Sequence, residues 1–159
     1  MSTREYENRT NSLRFNGHEI QLAAKMLDQL NTTIDIIYYL MEHEDEQSFV
    51  LMLVSAQDGD LAALLDREKR DTDILFEIDK EDSLYVMLCQ DTKVDGGYHF
   101  AERIIRNIQL DNGSDVYCTE LEIRSTHYSP KKVILKLLET FIKSKHKNQA
   151  NEIVFRSLN

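Results

Sequence analysis

The chain has 159 residues, 42% of them hydrophobic, which is enough for one domain with a proper core and argues against a disordered polymer. Its formal net charge of −9 opposes broad binding to duplex nucleic acid or an anionic membrane, because such surfaces need an extended basic face. Any anion it takes must therefore sit in a local pocket.

In chain order, residues 1–12 are polar and carry no apolar signal-like run, and nowhere do eighteen apolar residues follow one another. The expectation is a soluble, cytoplasmic chain with no membrane insertion. From Gly17, Ile20, Ala23, Ala24, Leu27 and Leu30 recur at helical spacing, which predicts an amphipathic helix. Residues 31–47 are ambiguous: Ile34, Ile36, Ile37, Tyr38 and Tyr39 favour a strand, whereas a cap at Asn31 or Thr32 with a stripe of Ile34, Ile37, Tyr38 and Met41 favours a helix.

The run SFVLMLVSA reads as a strand buried on both faces, closed by the turn residues QDGD. A short helix follows in DLAALLDREKR, with Leu61, Leu64 and Leu65 inward. Its last turn gathers Arg67, Lys69 and Arg70, which complement the helix dipole. DILFEI and SLYVMLCQ, joined by the tight acidic connection DKED, predict a hairpin. A helix then starts at Asp95 with a stripe of Phe100, Ile104, Ile105 and Ile108, and an alternating strand covers DVYCTELEIRS. A helix capped by Ser129 with Pro130 in its first turn comes next, and NEIVFRS forms a closing strand. This order predicts an α/β fold, a mixed central sheet flanked by helices.

Cys89 and Cys118 lie in apolar runs without ligand spacing and read as buried, reduced thiols. The five histidines, His18, His43, His99, His127 and His146, show no metal-ligand spacing, so no metal site and no cofactor are expected.

Several words of this sequence resemble the GGDEF domain family of diguanylate cyclases. They are RDTD at Arg70–Asp73, the DKED hairpin, LCQDT, and FAERIIRNI in the third predicted helix. The resemblance covers about residues 45–155 by order. It divides the chain into an N-terminal tail and helical segment, 1–44, and a GGDEF-like domain, 45–159.

It also implies what is missing. The family's hairpin carries Gly-Gly-Asp/Glu-Glu-Phe, whose glycines admit GTP and whose carboxylates bind metal. Here DKED has neither glycine, and Ser55 and Gln57 stand where metal-binding aspartates are expected. GGYHF at Gly96–Phe100 matches the family word at its glycines and phenylalanine but leads into a helix. The implied protein is therefore a degenerate member with no catalytic residues, and not an enzyme.

By the same resemblance, Arg70, Asp73 and Arg103 would form the family's secondary site for cyclic di-GMP, with Arg67 and Arg106 as candidate accessory cations. RxxD is short, and about one copy is expected by chance at this composition. Its place between a helix and the hairpin is what gives it weight. The reading is a bacterial cyclic di-GMP receptor in signalling. The alternative is a ligand-independent interaction or dimerisation module that joins a second copy or another protein.

Overall fold

The computed structural model describes residues 14–43, 48–57 and 60–158. The elements are α1 (Gly17–His43), β1 (Phe49–Ala56), α2 (Leu61–Glu68), β2 (Asp73–Asp79), β3 (Leu84–Gln90), α3 (Val94–Asp111), β4 (Val116–Ile123), α4 (Pro130–His146) and β5 (Ile153–Leu158).

Helix α1 settles the ambiguous stretch as far as His43, because it runs without a break through residues 31–43; residues 44–47 lie outside the described residues. Asn16 starts it with a reciprocal capping box: its side chain accepts from the Glu19 backbone N–H, and the Glu19 carboxylate accepts from the Asn16 N–H, both at 2.8 Å. Continuity shifts the expected face. Leu22, Ala23, Met26, Leu30, Ile34, Ile37 and Tyr38 point inward, while Ile20 and Ala24, assigned inward by spacing, are exposed. A short window fits several phases of the 3.6-residue repeat, and only the whole helix selects one.

The five strands form one sheet in the order β2-β3-β1-β4-β5. All neighbours are antiparallel except β4 and β5, which are parallel. β1 lies at the centre, and alternation sends its side chains into two layers. Phe49, Leu51 and Leu53 join α1 and α4, whereas Val50, Met52, Val54 and Ala56 join α2 and α3. α1 thus shares its core with the sheet and α4. Among the described residues no helix is long and apolar enough to cross a membrane.

β4 departs from the simple alternation expected of it. As an interior strand covered on both sides it buries every position but Tyr117, including Thr119, Glu120 and Glu122. Glu122 is satisfied: its Oε2 accepts from the Val94 N–H at 2.7 Å and its Oε1 from the Ser157 hydroxyl at 2.9 Å. Because the Lys93 side chain does not cap α3, this carboxylate from another strand serves as the helix's N-terminal partner.

Glu120 is fully buried, and among the described residues neither of its oxygens has a hydrogen-bond partner. Burial pushes its carboxyl up to about 9. Its Oε2 would sit 3.3 Å from a Cβ at Gly97, and the Val50 methyls 3.2 Å from it, so a glycine lets α3 approach the sheet at that point. Both cysteines are free and buried, and burial raises each thiol.

Unfolded, Glu120 titrates in the ordinary carboxylate range, about 4.3. Between that value and about 9 the folded state holds one more proton than the unfolded state, so this group makes stability fall as pH rises. Glu120→Gln is expected to gain melting temperature over the parent at pH 8 and little at pH 4; calorimetry across pH checks the difference. Glu122→Ala leaves the Val94 N–H and the Ser157 hydroxyl without their acceptor. It is expected to cost about 1–3 kcal/mol in denaturant unfolding.

Candidate functional site

Helix α2 begins at Asp60, whose carboxylate accepts from the Ala63 N–H at 3.0 Å, and ends with the Lys69 N–H on the Leu65 carbonyl. Arg70 comes directly after it and folds back on β2. Its backbone N–H donates to Asp73 Oδ2 at 2.8 Å, and the Asp73 N–H donates to the Arg70 carbonyl at 3.0 Å. The spacing of three residues is what closes this turn.

The Arg70 side chain is fixed from several directions. Nε donates to Asp73 Oδ1 at 3.1 Å, and Nη2 donates at 2.8 Å to Asp73 Oδ1, to the Gln90 carbonyl and to Thr92 Oγ1. The Asp73 hydrogen bond raises the Arg70 pKa above its ordinary value, so the guanidinium keeps its charge. Nη1 takes no part in these bonds, and 53% of the side chain remains exposed, whereas the Asp73 side chain is 3% exposed. The aspartate therefore acts on the arginine and hardly meets solvent itself.

Arg103 reaches the same place from α3. Its Nε lies 3.2 Å from Glu68 Oε1, and its Cζ lies 5.2 Å from the Phe100 ring centroid, a cation–π placement. Arg70, Asp73 and Arg103 line one cavity of about 210 Å³ together with Glu68, Cys89, Thr92, Gly96, His99 and Phe100. The three predicted residues, distant in sequence by up to 33 positions (103 − 70), thus share one recess between the end of α2, the sheet and the start of α3.

The accessory residues lie elsewhere. Arg67 lines a larger cavity of about 470 Å³ between the start of α2 and the end of α3, with Asp60, Asn107 and Asp111. Arg106 is exposed on α3 and lines neither cavity. Sequence reasoning missed Thr92, His99 and Phe100 as lining residues. Their helical spacing from Arg103 was a usable signal for the last two; for Thr92, which lies in the loop before α3, there was none.

At the other end of the hairpin, the DKED turn joins β2 to β3, and Ser83 there takes a φ of 49°. The Ser55 hydroxyl donates to the Asp82 carbonyl at 2.9 Å, which fastens the turn to β1. His18, at the start of α1, lies with its Nε2 at 2.6 Å from Asp82 Oδ2, a contact that connects residues 64 positions apart. No spacing rule within a local motif reaches that far.

No family model matches the sequence, and no curated protein matches it. Solved structures match in three dimensions. The GGDEF domain of DgcB from Caulobacter crescentus, solved in complex with c-di-GMP, aligns with a TM-score of 0.66 over 80% of this chain and 86% of that one, at 12% identity. The fold is that of a GGDEF domain. The active GGEEF domain of a diguanylate cyclase from Vibrio cholerae aligns with a TM-score of 0.60 over 83% of this chain and 94% of the other, at 13% identity. The diguanylate cyclase SiaD from Pseudomonas aeruginosa, solved in complex with its activator SiaC, aligns at 0.61 over 96% and 68%, also at 13% identity. The likeness of this GGDEF fold extends in that last case over nearly all of the chain, α1 included.

Arg103→Ala removes one cation without touching the Arg70 turn. It is expected to leave the melting temperature within about 2 °C of the parent, since exposed ion pairs contribute little. Asp73→Ala is expected to lower it by several degrees, because it strips a buried carboxylate that accepts from both backbone and side chain of Arg70.

Proposed function

We propose that this GGDEF-like domain is a receptor for cyclic di-GMP that binds at the Arg70–Asp73–Arg103 recess and carries out no cyclisation. The observation that carries the reading is the convergence of Arg70 and Arg103 on one cavity, with Asp73 holding the first in place. A guanidinium with a free Nη1 edge suits a phosphate or the O6/N7 edge of guanine, and a planar cation beside a ring suits stacking on a base. The cavity of about 210 Å³ is small beside the whole ligand and would take one base or phosphate of it. Binding draws Arg103 away from Glu68, so the ligand's anion replaces the carboxylate as its partner.

Absence of cyclisation is supported by chemistry at the hairpin. Phosphoryl transfer of this kind relies on metal ions and positioned charge. Ser55 and Gln57 offer no carboxylate at the end of β1, and the Ser55 hydroxyl is committed to the Asp82 carbonyl. The turn itself holds Asp79 and Lys80 in the places where a glycine pair would let the nucleotide approach. These residues do not fit a magnesium–GTP centre of the family's type.

A second reading is favoured by α1, which leaves Ile36 and Tyr39 more than half exposed near its C-terminal end. That face suits a protein partner or a second copy of the chain. Light scattering of an Ile36→Glu/Tyr39→Glu variant distinguishes a dimer through this face from a monomer.

The test of the first reading is calorimetric titration with cyclic di-GMP, using GTP and cyclic di-AMP as controls. Micromolar or tighter binding is expected, specific to cyclic di-GMP, with Arg70→Ala and Arg103→Ala each weakening it roughly tenfold or more. Unchanged affinity in both variants removes the site. Incubation with GTP and magnesium or manganese is expected to yield no cyclic product.

A further inference from the structure

On the opposite face of the sheet from the arginine recess, the start of α1 meets the β2–β3 turn. His18, Asp79 and Asp82 each present a ligand atom there, and all three atoms lie within 4.8 Å of one another. We propose that these three side chains form a binding site for a divalent transition metal of the zinc class, which fastens α1 to the hairpin.

The donor set selects the metal. One neutral imidazole nitrogen and two carboxylate oxygens suit Zn²⁺, Co²⁺ or Ni²⁺, whereas Mg²⁺ and Ca²⁺ prefer oxygen alone. Bond lengths of about 2.0–2.2 Å place tetrahedral donors roughly 3.4 Å apart. The His18–Asp82 pair at 2.6 Å opens slightly to reach that geometry, and the Asp79 donor already lies within 4.8 Å of both. His18 and Asp82 are about half exposed, so their rotamers adjust at little cost, and the outer side stays open for water to complete the shell.

Charge points the same way. Two carboxylate oxygens lie within 4.8 Å of each other at the turn. A divalent ion balances both, in a chain whose formal charge is already −9.

The surroundings hold the donors in place. Asp79 Oδ1 accepts from the Glu81 N–H at 3.1 Å, which orients its carboxylate, and Ser55 anchors the Asp82 backbone to β1. Further along α1, the Gln29 side chain donates to the Glu77 carbonyl at 2.9 Å. α1 is therefore already tied to β2 eleven residues from His18, and the metal would fix its N-terminal end. The site involves neither Arg70 nor Arg103, and it does not depend on the nucleotide reading.

The experiment uses the full chain without a histidine tag, dialysed against chelator and titrated with Zn²⁺ and with Mg²⁺ by calorimetry, and with Co²⁺ by visible absorption. One Zn²⁺ per chain is expected, with Co²⁺ d–d bands, a higher melting temperature in Zn²⁺, and no response to Mg²⁺. His18→Ala and Asp82→Asn are each expected to weaken Zn²⁺ binding at least tenfold while their far-UV circular dichroism matches the parent. Arg70→Ala is expected to bind Zn²⁺ as the parent does. Zn²⁺ affinity in His18→Ala within twofold of the parent overturns the proposal, as does a parent without Co²⁺ bands. A Mg²⁺ response that survives His18→Ala also overturns it, since the ion would then belong to the acidic turn alone.

Discussion

Burial of β1 on both faces is the constraint on which the rest of the molecule depends. An eight-residue strand with alternating side chains directed into two separate apolar layers needs helices on each side and strands on each edge. α1 and α4 cover one face, and α2 and α3 cover the other. The ends of these helices then fall at fixed places relative to the hairpin, which is how the RDTD turn, the AER stretch of α3 and the DKED turn acquire their spatial relations. Buried polar groups accompany this arrangement. Glu122 serves as the missing cap of α3, whereas Glu120 goes unpaired among the described residues and depends on staying protonated.

The Arg70–Asp73 pair shows how a short motif can have a structural role. Asp73 satisfies the Arg70 backbone N–H just past α2 and one edge of the guanidinium, and Gln90 and Thr92 satisfy more of it. A plain surface ion pair would leave both partners mobile and would be worth little. Here the aspartate is buried, so the arginine is held in one orientation with its outer edge turned to the recess. Such preorganisation lowers the ordering cost of binding an anion. Arg103, paired with Glu68 at 3.2 Å, has half of its side chain exposed and fewer bonds to hold it.

Much of this was legible in the chain. Leu61, Leu64 and Leu65 marked the inward face of α2, Ser129 and Pro130 marked the start of α4, and the acidic connection at residues 79–82 marked the hairpin. These features are local: capping, turn chemistry and short-period hydrophobicity act within a few residues. The phase of α1 was not legible in its first half, and the burial of Glu120 and Glu122 contradicted what alternation in β4 implied. Polarity predicts exposure only while one face of a strand is open to water, and an interior strand has no such face.

The sequence by itself determined the element order and the positions of the caps and turns. Only the tertiary structure decided that Arg70 and Arg103 open on one recess, that Arg67 faces another, and that His18 meets Asp79 and Asp82. The reason is range. Hydrogen-bond caps and side-chain periodicity are set by neighbours along the chain, whereas convergence of distant side chains follows from sheet order and from the two-sided packing of β1, which no local window contains.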